Sequence, residues 1–220
     1  MAKEQKSNYC EYCGDFHDPF REYMTSVRIG ETIPDYEFEA FQNDEAKTMK
    51  FSDFRGKWLV VMFYPGDFTF VCPTELEEMA GLYPQMQGIN AEVLSFSTDT
   101  VHVHKAWHDT SPAVKKIDFP MGADPTGKIA SAFGVLIEGG DLGFVADEGL
   151  ALRGTFIIDP NGTLRTMEVH DNSVGRAATE TLRKLKAAQF VEANPGMVCP
   201  AAWDEGDAGM QPGMDKVGKI

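Results

Sequence analysis

A chain of 220 residues, 43% hydrophobic and 25% charged, is long enough to bury a sizeable core and too apolar to be disordered. Its formal net charge of −14, without a Lys/Arg cluster, argues against nucleic-acid binding and reads as a source of solubility. No apolar signal-peptide core and no uncharged apolar run near the ~20 residues of a membrane helix are visible, so the expected location is the cytoplasm. There, four cysteines point to chemistry or metal and not to a permanent disulfide framework.

Residues 1–26 are polar and aromatic without clear periodicity and read as an extension. They contain Cys10-Glu11-Tyr12-Cys13-Gly14, with His17 close behind. This spacing fits one knuckle of a zinc site with His17 as a third ligand, a dithiol redox switch, or two idle thiols, and the sequence leaves all three open. Regular patterning begins at Val27. Residues 58–64 form a continuous apolar run closed by Pro65 and Gly66, which predicts a strand buried on both faces. Pro73-Thr74-Glu75-Leu76-Glu77-Glu78-Met79 opens a helix, with proline at its first position and acids in its first turn. Residues 91–97 read as a second strand, and 101–109 as a helix that stops before Pro112. A short segment around Phe119-Pro120-Met121 precedes a helix over 127–133. Residues 154–159 and 164–169 read as strands joined by the hairpin signal Pro160-Asn161-Gly162. A long amphipathic helix over 174–192 closes at Asn194-Pro195-Gly196. From 195 to 220 the chain is Gly/Pro-rich and reads as an arm reaching another surface. The expected fold class is α/β, a mixed parallel and antiparallel sheet with helices on both faces over 27–194.

Cys72 falls where the first strand hands over to its helix. Unpaired N–H groups and the positive end of the helix favour a thiolate there. Lower basicity also lowers nucleophilicity, so thiolate formation alone brings only a few-fold gain. A fast thiol reaction therefore needs donors aimed at the charge that develops in the transition state. Two are readable. The Thr69 hydroxyl, three residues upstream, is one, although a local turn bond is its plainer use. Arg153, opening a core strand, is the other, because a buried arginine must meet an anion. Glu75 is placed to orient that arginine, or to hold it in a purely structural salt bridge. Pro65 and Pro73 would stiffen the loop and shield it from water. His102, His104 and His108 are expected on a solvated helix face, and Trp107 in packing.

At these residues the sequence resembles the peroxiredoxins. Pro65, Thr69 and Cys72 fit the Pro-x-x-x-Thr/Ser-x-x-Cys signature. Val198-Cys199-Pro200-Ala201-Ala202-Trp203 is similar to the resolving-cysteine segment of the typical two-cysteine class. Asp147-Glu148-Gly149 followed by Arg153-Gly154-Thr155-Phe156-Ile157-Ile158-Asp159 resembles its arginine-bearing strand. Val217-Gly218-Lys219-Ile220 is the ending of the bacterial alkyl hydroperoxide reductase C group. The resemblance implies a thioredoxin-like fold and reduction of hydrogen peroxide and organic hydroperoxides. It implies Cys72 as peroxidatic nucleophile, Cys199 of a partner subunit as resolving cysteine, and Pro65, Thr69 and Arg153 completing the site. It further implies no cofactor for the peroxidase chemistry, recycling by a separate dithiol protein or flavoprotein disulfide reductase, and homodimers that assemble as rings of five. The Gly-Gly-Leu-Gly and Tyr-Phe motifs of peroxide-sensitive members are missing from their usual places, which predicts resistance to over-oxidation. Gly139-Gly140-Asp141-Leu142-Gly143 looks similar to the first of these but lies in a later insertion. The other readings are an oligomeric holdase chaperone or redox sensor whose cysteines set assembly only, and a general disulfide oxidoreductase. The last lacks its Cys-x-x-Cys, since Glu75 stands three residues after Cys72.

Overall fold

The computed structural model describes residues 27–138 and 147–219. Cys10, Cys13, His17 and the 139–143 glycine segment lie outside the described residues. The elements in chain order are strands β1 (Glu37–Gln42), β2 (Glu45–Lys50) and β3 (Trp58–Phe63), helix α1 (Cys72–Gly88), β4 (Ala91–Ser97), α2 (Val101–Thr110), β5 (Met121–Ala123), α3 (Lys128–Ala132), β6 (Arg153–Ile158), β7 (Leu164–His170) and α4 (Ala178–Ala193). The strands form one seven-stranded sheet in the order β2-β1-β5-β4-β3-β6-β7. β3, β4 and β5 run parallel, while β1 and β2 on one side and β6 and β7 on the other pair antiparallel. The mixed sheet is what the sequence predicts.

All six residues of β3 are buried, because the sheet is covered on both faces. On one face Val60 and Met62 pack with Leu76, Met79 and Met86 of α1, Trp107 of α2, and Leu182 and Leu185 of α4. On the other, Leu59, Val61 and Phe63 pack with Ile129 of α3 and with Phe51, Phe54, Phe133 and Phe156. Each such buried side chain stabilises the fold by about 1.5–3 kcal/mol. Gly122 of β5 allows a close approach here, since a Cβ would lie 2.3 Å from a ring carbon of Phe96. The β6–β7 turn forms as read: Asp159 Oδ1 accepts from the amides of Asn161 and Thr163, each at 2.9 Å, and Gly162 takes φ 82°.

Two local expectations are corrected, and two features are added. Cys72, not Pro73, is the first residue of α1. The β1–β2 hairpin, which the sequence reading left unassigned, closes through Asn43 and Asp44 at φ 53° and 61°. α4 begins at Ala178 and not at 174, because 172–177 is held out of the helix by contacts to α1 described below. The arm does not leave the body at once. Val198 bridges Met210, Trp203 packs on Phe190 at 4.9 Å, and Arg183 Nη1 donates to the Trp203 carbonyl at 2.6 Å, so this stretch folds back on α4 of its own chain.

Candidate active site

The Cys72 loop leaves β3 through Tyr64 and Pro65, both buried. Three contacts of Asp67 pin it: the Tyr64 hydroxyl donates to Oδ1 at 2.8 Å, His104 Nδ1 lies 2.7 Å from Oδ2, and the Asp67 amide donates to Asp99 Oδ2 at 2.8 Å. His104 Nε2 meets the Gly122 carbonyl at 3.1 Å. The histidine is therefore fully buried, which corrects the expectation of a solvated face; the polar pattern of α2 hid an internal partner on another loop. Burial raises the Asp67 carboxyl above its ordinary value and the His104 contact pulls it only partly back. Burial, reinforced by Asp67, pushes the Tyr64 hydroxyl well above its usual value, so it stays a donor.

Thr69 Oγ1 donates to the Gly66 carbonyl at 2.8 Å. Its proton is thus used within the turn, and toward a ligand the oxygen is left as an acceptor. Cys72 opens α1 fully buried, and its Val71 N-cap makes no side-chain capping bond. Arg153, the first residue of β6, reaches it. Nη1 donates to Cys72 Sγ at 3.4 Å and to Glu75 Oε2 at 2.6 Å. Nε and Nη2 both donate to the Asn172 carbonyl, at 3.0 and 2.8 Å. Arg153 and Glu75 are each 3% exposed, so the pair is shielded from solvent and held rigidly.

Sequence reading missed a second arginine. Arg176 is buried, and its Nε and backbone amide donate to Glu75 Oε1 at 3.0 and 2.7 Å. Nη1 donates to the Gly154 carbonyl at 2.8 Å and to Thr155 Oγ1 at 3.1 Å. These bonds hold 175–177 out of the helix after a turn over 171–174, and Glu78 of α1 caps the delayed helix by accepting from the Ala178 amide at 3.1 Å. The available signal was Gly175-Arg176-Ala177, a lone arginine among small residues, but a 3.6-residue pattern absorbs it. Burial alone would raise the Glu75 carboxyl; hydrogen bonds and charge from Arg176, then the charge of Arg153, outweigh that and hold it below its usual value.

A cavity of about 320 Å³ ends on this cluster. Thr69, Asp147, Arg153, Asp171, Asn172 and Ser173 form its polar lining and Pro65, Phe70, Val71, Ile137, Leu150 and Leu152 its apolar wall. Chemically the arrangement presents a buried sulfur with a guanidinium beside it, opposite a small, mostly apolar chamber. Cys199 is elsewhere, half-buried on the arm with Sγ 3.7 Å from the Ala187 carbonyl. Burial raises its thiol above the ordinary value, partly offset by the charge of Arg183.

The profile of the AhpC/TSA family matches residues 29–167, which takes in both Cys72 and Arg153. The chain belongs to the AhpC/TSA family. It is 46% identical over 192 residues to alkyl hydroperoxide reductase C of Pseudomonas aeruginosa (strain UCBPP-PA14), covering 87% of this chain and 98% of that relative. Identity and coverage are the same for the protein of that name from Bacillus subtilis (strain 168). The crystal structure of Enterococcus faecalis AhpC superposes with a TM-score of 0.73 at 42% identity, covering 79% of this chain and 99% of that one. The reduced 2-Cys peroxiredoxin of Plasmodium vivax gives 0.77 at 30% identity, covering 85% and 94%. This AhpC/TSA member is a peroxiredoxin, a thiol-dependent peroxidase with the thioredoxin-like fold, and its peroxidase chemistry needs no cofactor. Among the described residues, no helix is long and apolar enough to cross a membrane. One group with metal-ligand spacing occurs there, Asp44, His108 and Asp109, but Lys105 already pairs with both carboxylates.

Proposed function

We propose that Cys72 is the peroxidatic nucleophile, that Arg153, Thr69, Pro65 and Glu75 serve its oxidation, and that Cys199 of a second subunit resolves the product. The observation that carries this reading is the Arg153 guanidinium 3.4 Å from Cys72 Sγ, its Nη1 shared with Glu75 and its other nitrogens fixed by the Asn172 carbonyl. Two buried guanidiniums, Arg153 and Arg176, face one buried carboxylate, Glu75. The Cys72 thiolate attacks the terminal oxygen of ROOH. An S–O bond forms, the O–O bond breaks, and the RO⁻ that leaves takes a proton from water to become ROH. Arg153 meets the charge growing on the oxygens, while Thr69 Oγ1 accepts from the hydroperoxide O–H and orients it. Cys199 then attacks the Cys72 sulfenic acid, expelling water and forming the disulfide. A separate dithiol or flavoprotein reductase supplies the two electrons that reopen it.

Hydrogen peroxide fits the polar lining of the cavity, and the apolar wall suits the alkyl group of an organic hydroperoxide. The buried position of Cys72 requires the first turn of α1 to unwind before Cys199 can reach it, and the uncapped Val71 terminus favours this. Assembly as a homodimer is supported by β7, whose outer edge is last in the sheet, and by the exposed Val217 on the arm. The exposed Phe68 and Phe70 offer a further contact through which five dimers would close a ring. Thiols that must be reduced to work suit the cytoplasm. A holdase whose cysteines only set assembly has no need of a buried guanidinium at the sulfur. The zinc-knuckle reading of Cys10, Cys13 and His17 rests on spacing alone; elemental analysis of the reduced protein tests it, a metal-free protein discarding it.

Peroxide consumption with dithiothreitol as reductant tests the assignment. Wild-type protein turns over, and Cys72→Ser lowers the rate by about three orders of magnitude or more while keeping the fold. A folded Cys72→Ser protein with a substantial rate would overturn it.

A further inference from the structure

The loop that carries Cys72 is held by a buried acid–histidine pair to which the reaction assigns nothing. The side chains of Asp67 and His104 are fully shielded from solvent, with His104 Nδ1 2.7 Å from Asp67 Oδ2. The Gly122 carbonyl, 3.1 Å from Nε2, can only accept, so that nitrogen carries a hydrogen and the ring is held from both ends. His104 thus ties α2 and β5 to the loop. The other bonds of Asp67 run to the ends of two more strands. The Tyr64 hydroxyl, just after β3, donates to Oδ1, and the Asp67 amide donates to Asp99 Oδ2, which also accepts from Ser97 of β4 at 2.9 Å.

This anchoring acts on the next residue. Phe68 has φ 56°, a left-handed conformation that a bulky side chain adopts only where its surroundings impose it. Asp67 fixes the chain before it, and the bond from Thr69 Oγ1 to the Gly66 carbonyl fixes the chain after it. The Phe68 ring is 57% exposed and meets Trp107 at 6.1 Å, so its own packing contributes little to that backbone. Released from its anchors, Phe68 returns to an ordinary conformation and carries Thr69 and Cys72 with it.

We propose that His104 is a positioning residue for the oxidation of Cys72: through Asp67 it holds Phe68 in its left-handed conformation and so sets Thr69 and Cys72 against the peroxide. The proposal rests on the peroxidase reading and adds to it a residue that touches neither substrate nor sulfur. A displacement of reacting groups by roughly 1 Å is enough to cost about 100-fold in rate.

The test takes the two ends of the imidazole apart. An asparagine amide stands near the place of Nδ1 and still donates to Asp67; a glutamine amide stands near that of Nε2 and reaches only the Gly122 carbonyl. In single-turnover oxidation of Cys72 by hydrogen peroxide, His104→Asn is expected to react about tenfold faster than His104→Gln. A double-mutant cycle with Phe68→Gly separates positioning from a general loss of stability. Glycine adopts this φ freely, so the slowing caused by His104→Gln should shrink to within about twofold in the Phe68→Gly background. Asp67→Ala replaces His104→Gln in both measurements if the glutamine variant does not fold. Equal rates in the two histidine variants, or a slowing undiminished in the glycine background, overturns the proposal; a Cys72 that still reacts in those proteins leaves the peroxidase reading standing. A wild-type Cys72 that peroxide does not oxidise removes both.

Discussion

Cys72 and Cys199 are both reduced thiols near a helix, yet their surroundings are built to opposite ends. Around Cys72, the partners come from α1, β6 and the segment before α4, all buried, and each charged group has at least two fixed contacts. Around Cys199, a two-residue bridge, a ring contact, an arginine hydrogen bond, the Lys186–Glu205 ion pair and a long thiol contact to the Ala187 carbonyl hold the arm, and the thiol is half-buried. Electrostatic help at a transition state requires groups that do not reorganise, which explains the rigid side. On the proposed mechanism Cys199 travels to a partner, and a weakly held segment suits that role. Rigidity here follows where charge develops, and looseness follows where a bond must be carried.

Breaking the rigid side gives the largest expected effects. Glu75→Gln leaves Arg153 and Arg176 buried against a neutral group and should cost about 3–5 kcal/mol of stability, measured by urea unfolding. Arg153→Ala removes the donor at the sulfur and should slow the first oxidation by about 10²–10³, read in single-turnover kinetics; a change within twofold would refute that role. The pH dependence sharpens the same point. Glu75 is held below its usual 4.5, so its contribution is complete above that pH and is lost as pH falls through the lower folded value. The stability gap between wild type and Glu75→Gln should therefore close only under acid conditions; a gap that shrinks between pH 5 and 7 would contradict the linkage. The loose side should respond least. Lys186→Met removes the ion pair between α4 and Glu205 of the arm, worth about 0–1 kcal/mol, and should speed Cys199 alkylation up to a few-fold without changing the first oxidation of Cys72.

The same contrast governs what the sequence made legible. β3 was readable because a continuous apolar run marks a strand buried on both faces, and Cys72 was readable because Pro65 and Pro73 bracket its junction. Arg153 stood out as a charge on an apolar strand. Arg176 and His104 did not, because each sits in a stretch with an acceptable helical pattern while its partner, Glu75 or Asp67, lies on an element distant in sequence. Periodicity reports which face is buried but not which polar group will be waiting there.

The central claim is that peroxide oxidises Cys72 first and that Cys199 acts only afterwards. Cys199→Ser protein given one equivalent of hydrogen peroxide, trapped with a sulfenic-acid reagent and mapped by peptide mass spectrometry, tests it directly. The account predicts one trapped oxygen at Cys72, no disulfide at that residue, and the same first-step rate as wild type. Unmodified Cys72 in a protein that has consumed its peroxide would contradict it.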